Sequence, residues 1–319
     1  MLKFLFFDFN IPFLLEDKKE AVGGASVQTM NWINGLLKNK NKVGVLIEKG
    51  SSYPKVSPID FRESFNFGNK NSISWFYPRL FLLNKSIKKY APDYIIQAGA
   101  GFVVLPLAII ARLNGVKFIH RIANNVDIDN RIFIKISKIG AILYRIGLSL
   151  TPIISCQNEY QYDKLKKRYP KKDIIKVVNP FNCSTINNNR VKRNKRRYVS
   201  WVGVFQHQKN LPLLLKIAKS YPEVDFKIAG KKLENIDKST EKALLQLQNQ
   251  LNVHFVGYLS RIELFPFLSN AICLLNTSYY EGFPNTFLES LAVGTPVVTT
   301  DEIDPDHIIK THCLGFTCK

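Results

Sequence analysis

The chain has 319 residues, which is enough for two domains with separate cores, and its hydrophobic content of 46% is ordinary for a soluble globular protein. Its five cysteines are odd in number and contain no C-x-x-C pair, which argues against a disulfide framework and fits a reducing compartment. The formal net charge is +20, but no aromatic-interleaved basic module typical of nucleic-acid readers accompanies it, so we expect no specific nucleic-acid partner.

The first half of the chain predicts strands that alternate with helices. Residues 2–9 predict a buried strand rather than a signal peptide, because Asp8 interrupts the apolar run and no cleavage site follows. Gly23 and Gly24 precede a helical pattern from about 26 to 38, and a helix start after a glycine loop suits a phosphate. Further buried strands are predicted at 43–47, 94–97, 117–120, 153–157 and 174–178. This pattern indicates a parallel α/β domain over residues 1–180.

The character of the sequence changes after Pro180. Residues 181–197 are polar, rich in Asn and basic, which predicts a linker. The second half then restarts the pattern, with strands at 198–202, 224–229, 253–255 and 271–275 and helices at 211–219 and 262–269. We therefore expect a second α/β domain over 198–319, with a ligand in the cleft between the two domains. Apolar runs such as 102–111 are shorter than the ~20 residues of a bilayer span, so no transmembrane helix is expected.

The positive charge is concentrated in one segment. Residues 163–197 contain thirteen Lys or Arg residues and two acidic ones, which leaves +11 of the total of +20. Such a field attracts nucleic acid, anionic lipid or phosphorylated substrates without choosing among them.

Two glutamates, Glu281 and Glu289, bracket a Gly/Pro turn that runs into a predicted helix. A helix N-terminus offers backbone N–H groups and a positive dipole end to a diphosphate, and carboxylates at its edges can accept hydrogen bonds from sugar hydroxyls. Thr286 and Glu289 also fit a capping box, which needs no ligand. Residues 291–300 then predict a helix end, a glycine cap and a buried strand.

The stretch 281–300 resembles the E-x7-E region of the retaining glycosyltransferases of family 4. The resemblance implies an α/β fold of two Rossmann-like domains facing a cleft, known as GT-B. It implies transfer of a sugar from a nucleotide-diphosphate donor, of UDP or GDP type, to a hydroxyl with retention and without a metal. By the same resemblance Glu281 is catalytic and binds the donor sugar, and Glu289 binds the ribose. The diphosphate would lie on the loops that contain Gly23, Gly24, Gly282, Phe283, Pro284, Asn285 and Thr286.

Residues 203–209 align with the Gly-Arg-x4-Lys pattern of the same family, so Lys209 is expected on the donor phosphates. Val204 stands where the family has Arg, which removes one of two cations. His207 or Arg121 are the candidate substitutes.

His120 ends the predicted strand 117–120, where family members commonly have a His near the donor sugar and the acceptor. We therefore predict a second catalytic residue there, with a structural hydrogen-bonding histidine as the alternative.

The resemblance also implies several helices after the strand at 297–300, whereas the sequence ends nineteen residues beyond Thr300. The expectation is an abbreviated C-terminal end or a truncated product. His307, His312, Cys313 and Cys318 match no familiar zinc spacing, so neither a metal nor another cofactor is expected.

The leading interpretation is a cytoplasmic transferase that acts on a sugar or lipid-linked sugar in surface polysaccharide or glycolipid synthesis. Its rivals are a non-catalytic GT-B scaffold and a nucleic-acid-binding protein that relies on charge alone.

A further pattern concerns membranes: the cations Arg131, Lys135, Lys138 and Arg145 fall on one face of a helix predicted over 129–145. That helix either packs into the first domain with a solvated basic stripe or docks on anionic lipid at the inner membrane face.

Overall fold

The computed structural model describes residues 1–15, 23–54, 57–66, 76–182, 192–233 and 236–319. The chain divides into two compact units, Met1–Pro180 and Phe181–Lys319. Each unit contains a parallel sheet covered by helices on both faces, so the prediction of two Rossmann-like α/β domains is confirmed. Residues 183–191 of the predicted linker lie outside the described residues.

The sheet of the first unit is parallel throughout its described strands, in the order β3-β2-β1-β4-β5-β6-β7. The strands are β1 (Lys3–Phe7), β2 (Lys42–Ile47), β3 (Ile59–Glu63), β4 (Tyr94–Ala98), β5 (Lys117–Arg121), β6 (Ile153–Cys156) and β7 (Asp173–Lys176). The order reverses between β1 and β4, where Phe4 pairs with both Val43 and Tyr94. In open parallel sheets ligands bind at the carboxyl ends of the strands near such a reversal.

Alternation along β1 explains why both faces of this sheet are covered. Leu5 and Phe7 belong to one buried cluster, whereas Phe4 and Phe6 belong to another, because successive strand residues point to opposite faces. Each fully buried side chain of this kind contributes roughly 1.5–3 kcal/mol. The helices of the unit are α1 (Ile11–Leu15), α2 (Gly24–Lys38), α3 (Phe76–Tyr90), α4 (Val104–Leu113), α5 (Ile132–Lys135), α6 (Lys138–Leu150) and α7 (Glu159–Arg168).

The single helix predicted over 129–145 is wrong, because the chain is extended between α5 and α6. Ile136 has φ −135° and ψ 163°, and Ser137 starts the second helix by accepting a hydrogen bond from the Gly140 N–H at 3.2 Å. The side-chain hydroxyl of an N-cap serine satisfies a backbone N–H that the helix leaves unpaired. The four cations of the predicted stripe therefore do not share one helix face.

The second unit repeats the architecture with a sheet in the order β10-β9-β8-β11-β12-β13, parallel in its described strands. The strands are β8 (Tyr198–Val202), β9 (Phe226–Ala229), β10 (Val253–Gly257), β11 (Ala271–Leu275), β12 (Val297–Thr300) and β13 (Gly315–Cys318). The helices are α8 (Leu211–Ser220), α9 (Lys238–Gln248), α10 (Arg261–Ser269), α11 (Asn285–Ala292) and α12 (Ile308–Thr311). Here the order reverses between β8 and β11, so the loops that follow these two strands are where a ligand is expected.

Trp201 and its neighbour Val202 show the two faces of the second sheet. Trp201 packs with Leu214 and Phe226 in one cluster, and Val202 packs against a second cluster that contains Phe287. Within the described ranges, no helix is both long and apolar enough to cross a membrane.

Candidate active site

Lys209 and Glu281 meet beyond the carboxyl ends of β8 and β11. Lys209 ends a 3-10 turn, His207–Lys209, in the loop after β8, and Glu281 lies in the loop after β11. The Lys209 Nζ and Glu281 Oε1 atoms are 2.6 Å apart, and the side chains are only 17% and 11% exposed. Lys209 and Glu281 are 72 positions apart and belong to two separate sequence motifs, and the fold brings them into contact.

The Glu281 carboxylate is held by further donors from the same two loops. The Ser278 hydroxyl donates to Oε1 at 2.8 Å, and the Gln208 amide donates to Oε2 at 3.0 Å. Gln208 also donates to the carbonyl of Tyr280, and its own carbonyl accepts from the Tyr279 N–H. With donors on both oxygens, the orientation of the carboxylate is fixed before any ligand arrives.

The Lys209 backbone is anchored by a chain of hydrogen bonds that starts in β8. The Trp201 indole N–H donates to the Thr277 hydroxyl at 3.0 Å, and that hydroxyl donates to the Lys209 carbonyl at 2.7 Å. Gly230 explains the close approach of the neighbouring loop, since a Cβ at this position would lie 2.0 Å from the Gly203 carbonyl oxygen. Val204 is partly exposed in this loop.

The capping box suggested for Thr286 and Glu289 is absent. The helix α11 begins at Asn285 with Pro284 as its N-cap, and no side chain caps it. Thr286 is therefore inside the first turn and cannot serve as the N-cap. The turn Gly282, Phe283 and Pro284 leads directly into the helix, as the sequence predicts.

Glu289 is buried on α11, with 8% of its surface exposed. Burial raises the pKa of its carboxyl to about 7, and the positive charge of Arg261 acts in the opposite direction. Among the described residues, the Glu289 carboxyl makes no hydrogen bond, and the buried Nε of Arg261 likewise has none. Burying a carboxyl without a hydrogen bond costs free energy, so this position is suited to a ligand that supplies hydroxyl donors.

In the first unit, Gly23 is the N-cap of α2 and Gly24 is its first residue. Gly23 has φ −63° and ψ 150°, and a Cβ built on it would find no atom within 4 Å. The adjoining end of β1 carries Asp8, whose Oδ1 accepts hydrogen bonds from the Ser26 hydroxyl at 3.0 Å and the Asn10 N–H at 3.1 Å. Burial raises the pKa of the Asp8 carboxyl. The loop residues just before Gly23, 16–22, lie outside the described part of the chain.

His120 is completely buried in β5 with both ring nitrogens engaged. Nδ1 lies 2.8 Å from the Gln97 Oε1 and Nε2 lies 3.0 Å from the Tyr144 hydroxyl. Burial lowers its pKa to about 3, helped by the charges of Arg121 and Lys135, so the imidazole is neutral near pH 7. These contacts are those of the structural hydrogen-bonding alternative. A catalytic role for His120 stays a prediction.

Arg121 is buried in the first unit, with 2% of its surface exposed. Its Nη2 donates to Asn179 Oδ1 at 2.7 Å, and the guanidinium carbon lies 5.9 Å from the centroid of the Trp32 ring. Its Nε and Nη1 are buried without hydrogen-bond partners in the described residues. Burial lowers its pKa to about 10, and the Asp8 charge opposes that change, so Arg121 remains charged near pH 7.

His207, the other candidate cation, makes different contacts. Its ring stacks on Tyr279 with centroids 5.1 Å apart, and its Nδ1 lies 3.9 Å from Asp237 Oδ1.

Across the described residues, no three His, Cys, Asp or Glu side chains are grouped as metal ligands, and this includes the C-terminal residues considered above. A depression of about 540 Å³ in the first unit lies at the opposite, amino-terminal ends of β1, β4 and β5, lined by Leu2, Tyr94 and Lys117 among others.

Comparison with known proteins agrees with this arrangement. Residues 184–319 match the family model described as glycosyl transferases group 1. A curated relative, an uncharacterized glycosyltransferase of Methanocaldococcus jannaschii, is 25% identical over 266 residues, which cover 74% of this chain and 63% of the relative. The chain thus spans less than two thirds of that relative's length.

Solved structures match over the whole chain at low identity. TarM of S. aureus, in a complex that contains UDP, superposes with a TM-score of 0.74 at 12% identity, covering 100% of this chain and 90% of TarM. Sucrose-phosphate synthase of Thermosynechococcus elongatus gives 0.73 at 13% identity, covering 98% and 83%. A glycosyltransferase of Rickettsia africae gives 0.69 at 14% identity, covering 100% and 84%. These structures show the GT-B fold for the chain, and the family match links residues 184–319 to glycosyl transferases group 1.

Proposed function

We propose that this protein transfers a sugar from a nucleotide-diphosphate sugar to a hydroxyl acceptor, with retention at the anomeric carbon. The observation that supports this most is the fixed Lys209–Glu281 pair, together with Glu289 eight residues further on, which is buried and accepts no hydrogen bond from the described residues. Neither feature is needed for packing: a lysine and two glutamates at the switch point of an α/β sheet are costly unless they serve a ligand.

The chemical difficulty of the reaction is charge on the departing nucleoside diphosphate and on an oxocarbenium-like sugar. Lys209 has three donors and uses one of them on Glu281, so two can face phosphate oxygens. The N-terminal turn of α11 supplies a positive dipole end next to the same carboxylate. We propose that these groups neutralise the leaving diphosphate without a divalent metal.

The two glutamates are assigned to different parts of the donor. The Glu281 Oε1 already accepts from Ser278 and Lys209, but Oε2 accepts from Gln208 alone among the described residues, so Oε2 has room for a sugar hydroxyl. Glu289 lies about one turn into α11 and lacks hydrogen bonds within the described residues, which suits the vicinal hydroxyls of a ribose. A ribose would stabilise the ionised form of Glu289 that burial disfavours.

The two candidate cations differ in the donors they have left. Among the described residues, the Arg121 guanidinium of the first unit has two nitrogens without hydrogen-bond partners, whereas the His207 ring of the second unit stacks on Tyr279. We propose that the protein belongs to glycosyltransferase family 4 on the basis of the motifs at 203–209 and 281–300. We further propose a cytoplasmic enzyme that acts on a sugar or lipid-linked sugar in surface polysaccharide or glycolipid synthesis. UDP in the TarM complex favours testing UDP-sugars first.

A thermal-shift screen against UDP-, GDP- and ADP-sugars tests the proposal. A ligand present at about 100 times its Kd stabilises the native state by about 2.7 kcal/mol, which is readily seen as a rise in Tm. We expect one class of nucleotide sugar to raise the Tm of the wild type and not that of Glu281→Ala. The matched control is Glu241→Ala, which removes a half-exposed partner of Lys232 and should leave the ligand-induced rise unchanged.

The rival functions give different results in two further assays. A non-catalytic scaffold would bind the donor but release no nucleoside diphosphate from it. A nucleic-acid-binding protein would show salt-dependent affinity for random DNA and no shift with any nucleotide sugar.

A further inference from the structure

The solvent-facing side of α6 is apolar. Ile139 is 73% exposed, Ile142 is 53% exposed and Ile146 is 45% exposed, and Leu150 continues the same row at the end of the helix. The offsets of three, four and four residues place them on one stripe. Of the exposed positions of α6, only Lys138 and Ser149 are polar. Hereafter these four apolar residues are the isoleucine stripe.

The opposite side of α6 fixes this orientation. Ala141, Tyr144 and Leu148 are buried in the core of the first unit. Gly147 faces α4 so closely that a Cβ there would lie 2.6 Å from the Leu105 nitrogen. The helix therefore cannot rotate to bury the isoleucine stripe without opening the core. On α4, which contacts α6, Leu113 is 79% exposed.

The neighbouring helix α7 shows what an ordinary solvent-facing side looks like in this unit. Its exposed positions are Glu159, Tyr160, Asp163, Lys164, Lys167 and Arg168. Single exposed apolar residues need no explanation, but a row along a whole helix marks an interaction surface. The isoleucine stripe thus departs from the rest of the unit.

Charges around the stripe are positive, although the predicted basic face does not exist. Arg131 pairs with Asp129 at 2.6 Å, Lys135 pairs with Asp127 at 2.5 Å, and Arg145 donates to Asn130. Among the exposed cations on the two helices, Lys138 lies at the start of α6 and Arg112 at the end of α4.

Acidic residues are rare in the sequence that builds this side of the unit. Within residues 94–158, which include α4, β5 and α6, the only Asp or Glu residues are Asp127 and Asp129, and both pair with cations. An apolar stripe with cations at its margin and no unpaired carboxylates complements an anionic lipid surface.

We propose that the isoleucine stripe docks this protein on a membrane rich in anionic lipid, with the isoleucines in the headgroup and acyl boundary and Lys138 and Arg112 on lipid phosphates. A second copy of the chain fits less well, because a two-fold contact would bring Lys138 of each copy to the same interface. One face of a 13-residue helix is also smaller than the roughly 800 Å² per partner of a stable dimer. The inference does not depend on the proposed transferase activity, since it concerns lipid binding without a donor.

Vesicle flotation of the full chain tests the proposal, with vesicles of neutral phospholipid alone and vesicles that also contain an anionic phospholipid. We expect the wild type to bind the anionic vesicles and to bind less as salt rises. The double variant Ile142→Glu/Ile146→Glu should bind at least about tenfold more weakly, because two apolar side chains are removed from the bilayer boundary. Both positions are exposed, so its Tm should equal that of the wild type.

Leu245→Glu is the matched control, since Leu245 is 59% exposed on α9 beside the charged residues Glu241 and Lys242. It should bind vesicles like the wild type. Undiminished binding by the double variant would overturn the proposal and assign the binding to the basic segment 163–197. Wild-type dimers in light scattering that the double variant loses would also overturn it, in favour of a second copy of the chain.

Discussion

Glu289→Gln separates a ligand-binding glutamate from a structural one, because the two roles predict opposite effects on stability. The folded chain holds the Glu289 pKa at about 7, above the ordinary value of 4.5, because the carboxyl is buried. Between these two pH values the folded chain keeps a proton that the unfolded chain has lost. Stability therefore falls as the pH rises through this window.

The full difference between the two pKa values corresponds to about 3 kcal/mol at pH 8, of which we expect about 2 kcal/mol after local relaxation. Glutamine has nearly the same shape and no charge, so Glu289→Gln should be more stable than the wild type at pH 8 and similar to it at pH 5. A gain of this size corresponds to a rise in Tm of roughly 4–8 °C for a unit of this length. The same variant should bind nucleotide sugar more weakly, because an amide oxygen accepts less strongly than a carboxylate.

Thermal unfolding of both proteins at several pH values between 5 and 8.5 provides the measurement, with nucleotide-sugar affinity measured by calorimetry at pH 8. Glu241→Gln is the control, since this half-exposed partner of Lys232 should change neither quantity by more than a few tenths of a kcal/mol. Parallel pH profiles for the wild type and Glu289→Gln would refute the reasoning about burial. Undiminished donor affinity in Glu289→Gln would refute the ribose assignment.

Four further predictions follow from individual contacts. Lys209→Ala breaks a 2.6 Å ion pair with a largely buried carboxylate. We expect the free energy of unfolding in urea to fall by about 2 kcal/mol and donor binding to be lost in calorimetry. A normal donor affinity would contradict the proposed role of Lys209. Gly230→Ala should lower the free energy of unfolding by more than about 3 kcal/mol, because the new Cβ would lie 2.0 Å from a carbonyl oxygen. Gly23→Ala places its Cβ in open space, so it should keep the wild-type Tm while weakening donor binding. Because the pKa of His120 is lowered to about 3, the unfolded chain takes up a proton before the folded chain does as the pH falls below 6.5. The free energy of unfolding of the wild type should therefore decline by up to about 1.4 kcal/mol per pH unit, and that of His120→Gln should decline less. Equal slopes would contradict the buried neutral imidazole. Val204→Arg should tighten nucleoside diphosphate binding about tenfold in calorimetry, since charge-assisted hydrogen bonds contribute roughly 1.5–3 kcal/mol, and an unchanged affinity would speak against the alignment of residues 203–209.

Much of the fold could be predicted because its strands are buried on both faces. Such strands appear in the sequence as short apolar runs bounded by turns, and the run at 117–120 differs from β5 by one residue. The strand β13 is harder to find, because it lies at the edge of its sheet, with alternate residues exposed, and contains a glycine at φ 158°. The break between α5 and α6 was not predicted, because the prediction used the spacing of the cations and did not consider Ser137 as an N-cap.

The candidate site was predictable only where its residues belong to a local motif. Lys209, Glu281 and Glu289 occur in recognisable spacings, and the structure brings the first two into contact. Gln208 and Ser278 lie beside these motifs, but their contacts with Glu281 depend on how two loops meet after folding. Arg261 is 28 positions from Glu289, and only the packing of α10 and α11 puts its charge near that carboxyl. His120 shows the converse, since its position at a strand end does not reveal that both ring nitrogens are engaged.

The most direct test of the central claim is proton NMR of the purified chain incubated with the nucleotide sugar that gives the largest thermal shift. We expect release of nucleoside diphosphate, with free sugar that first appears in the anomeric configuration of the donor. With Lys209→Ala we expect no release above background. A wild-type protein that binds the donor yet releases nothing, or that first yields the opposite anomer, would contradict a retaining sugar transferase.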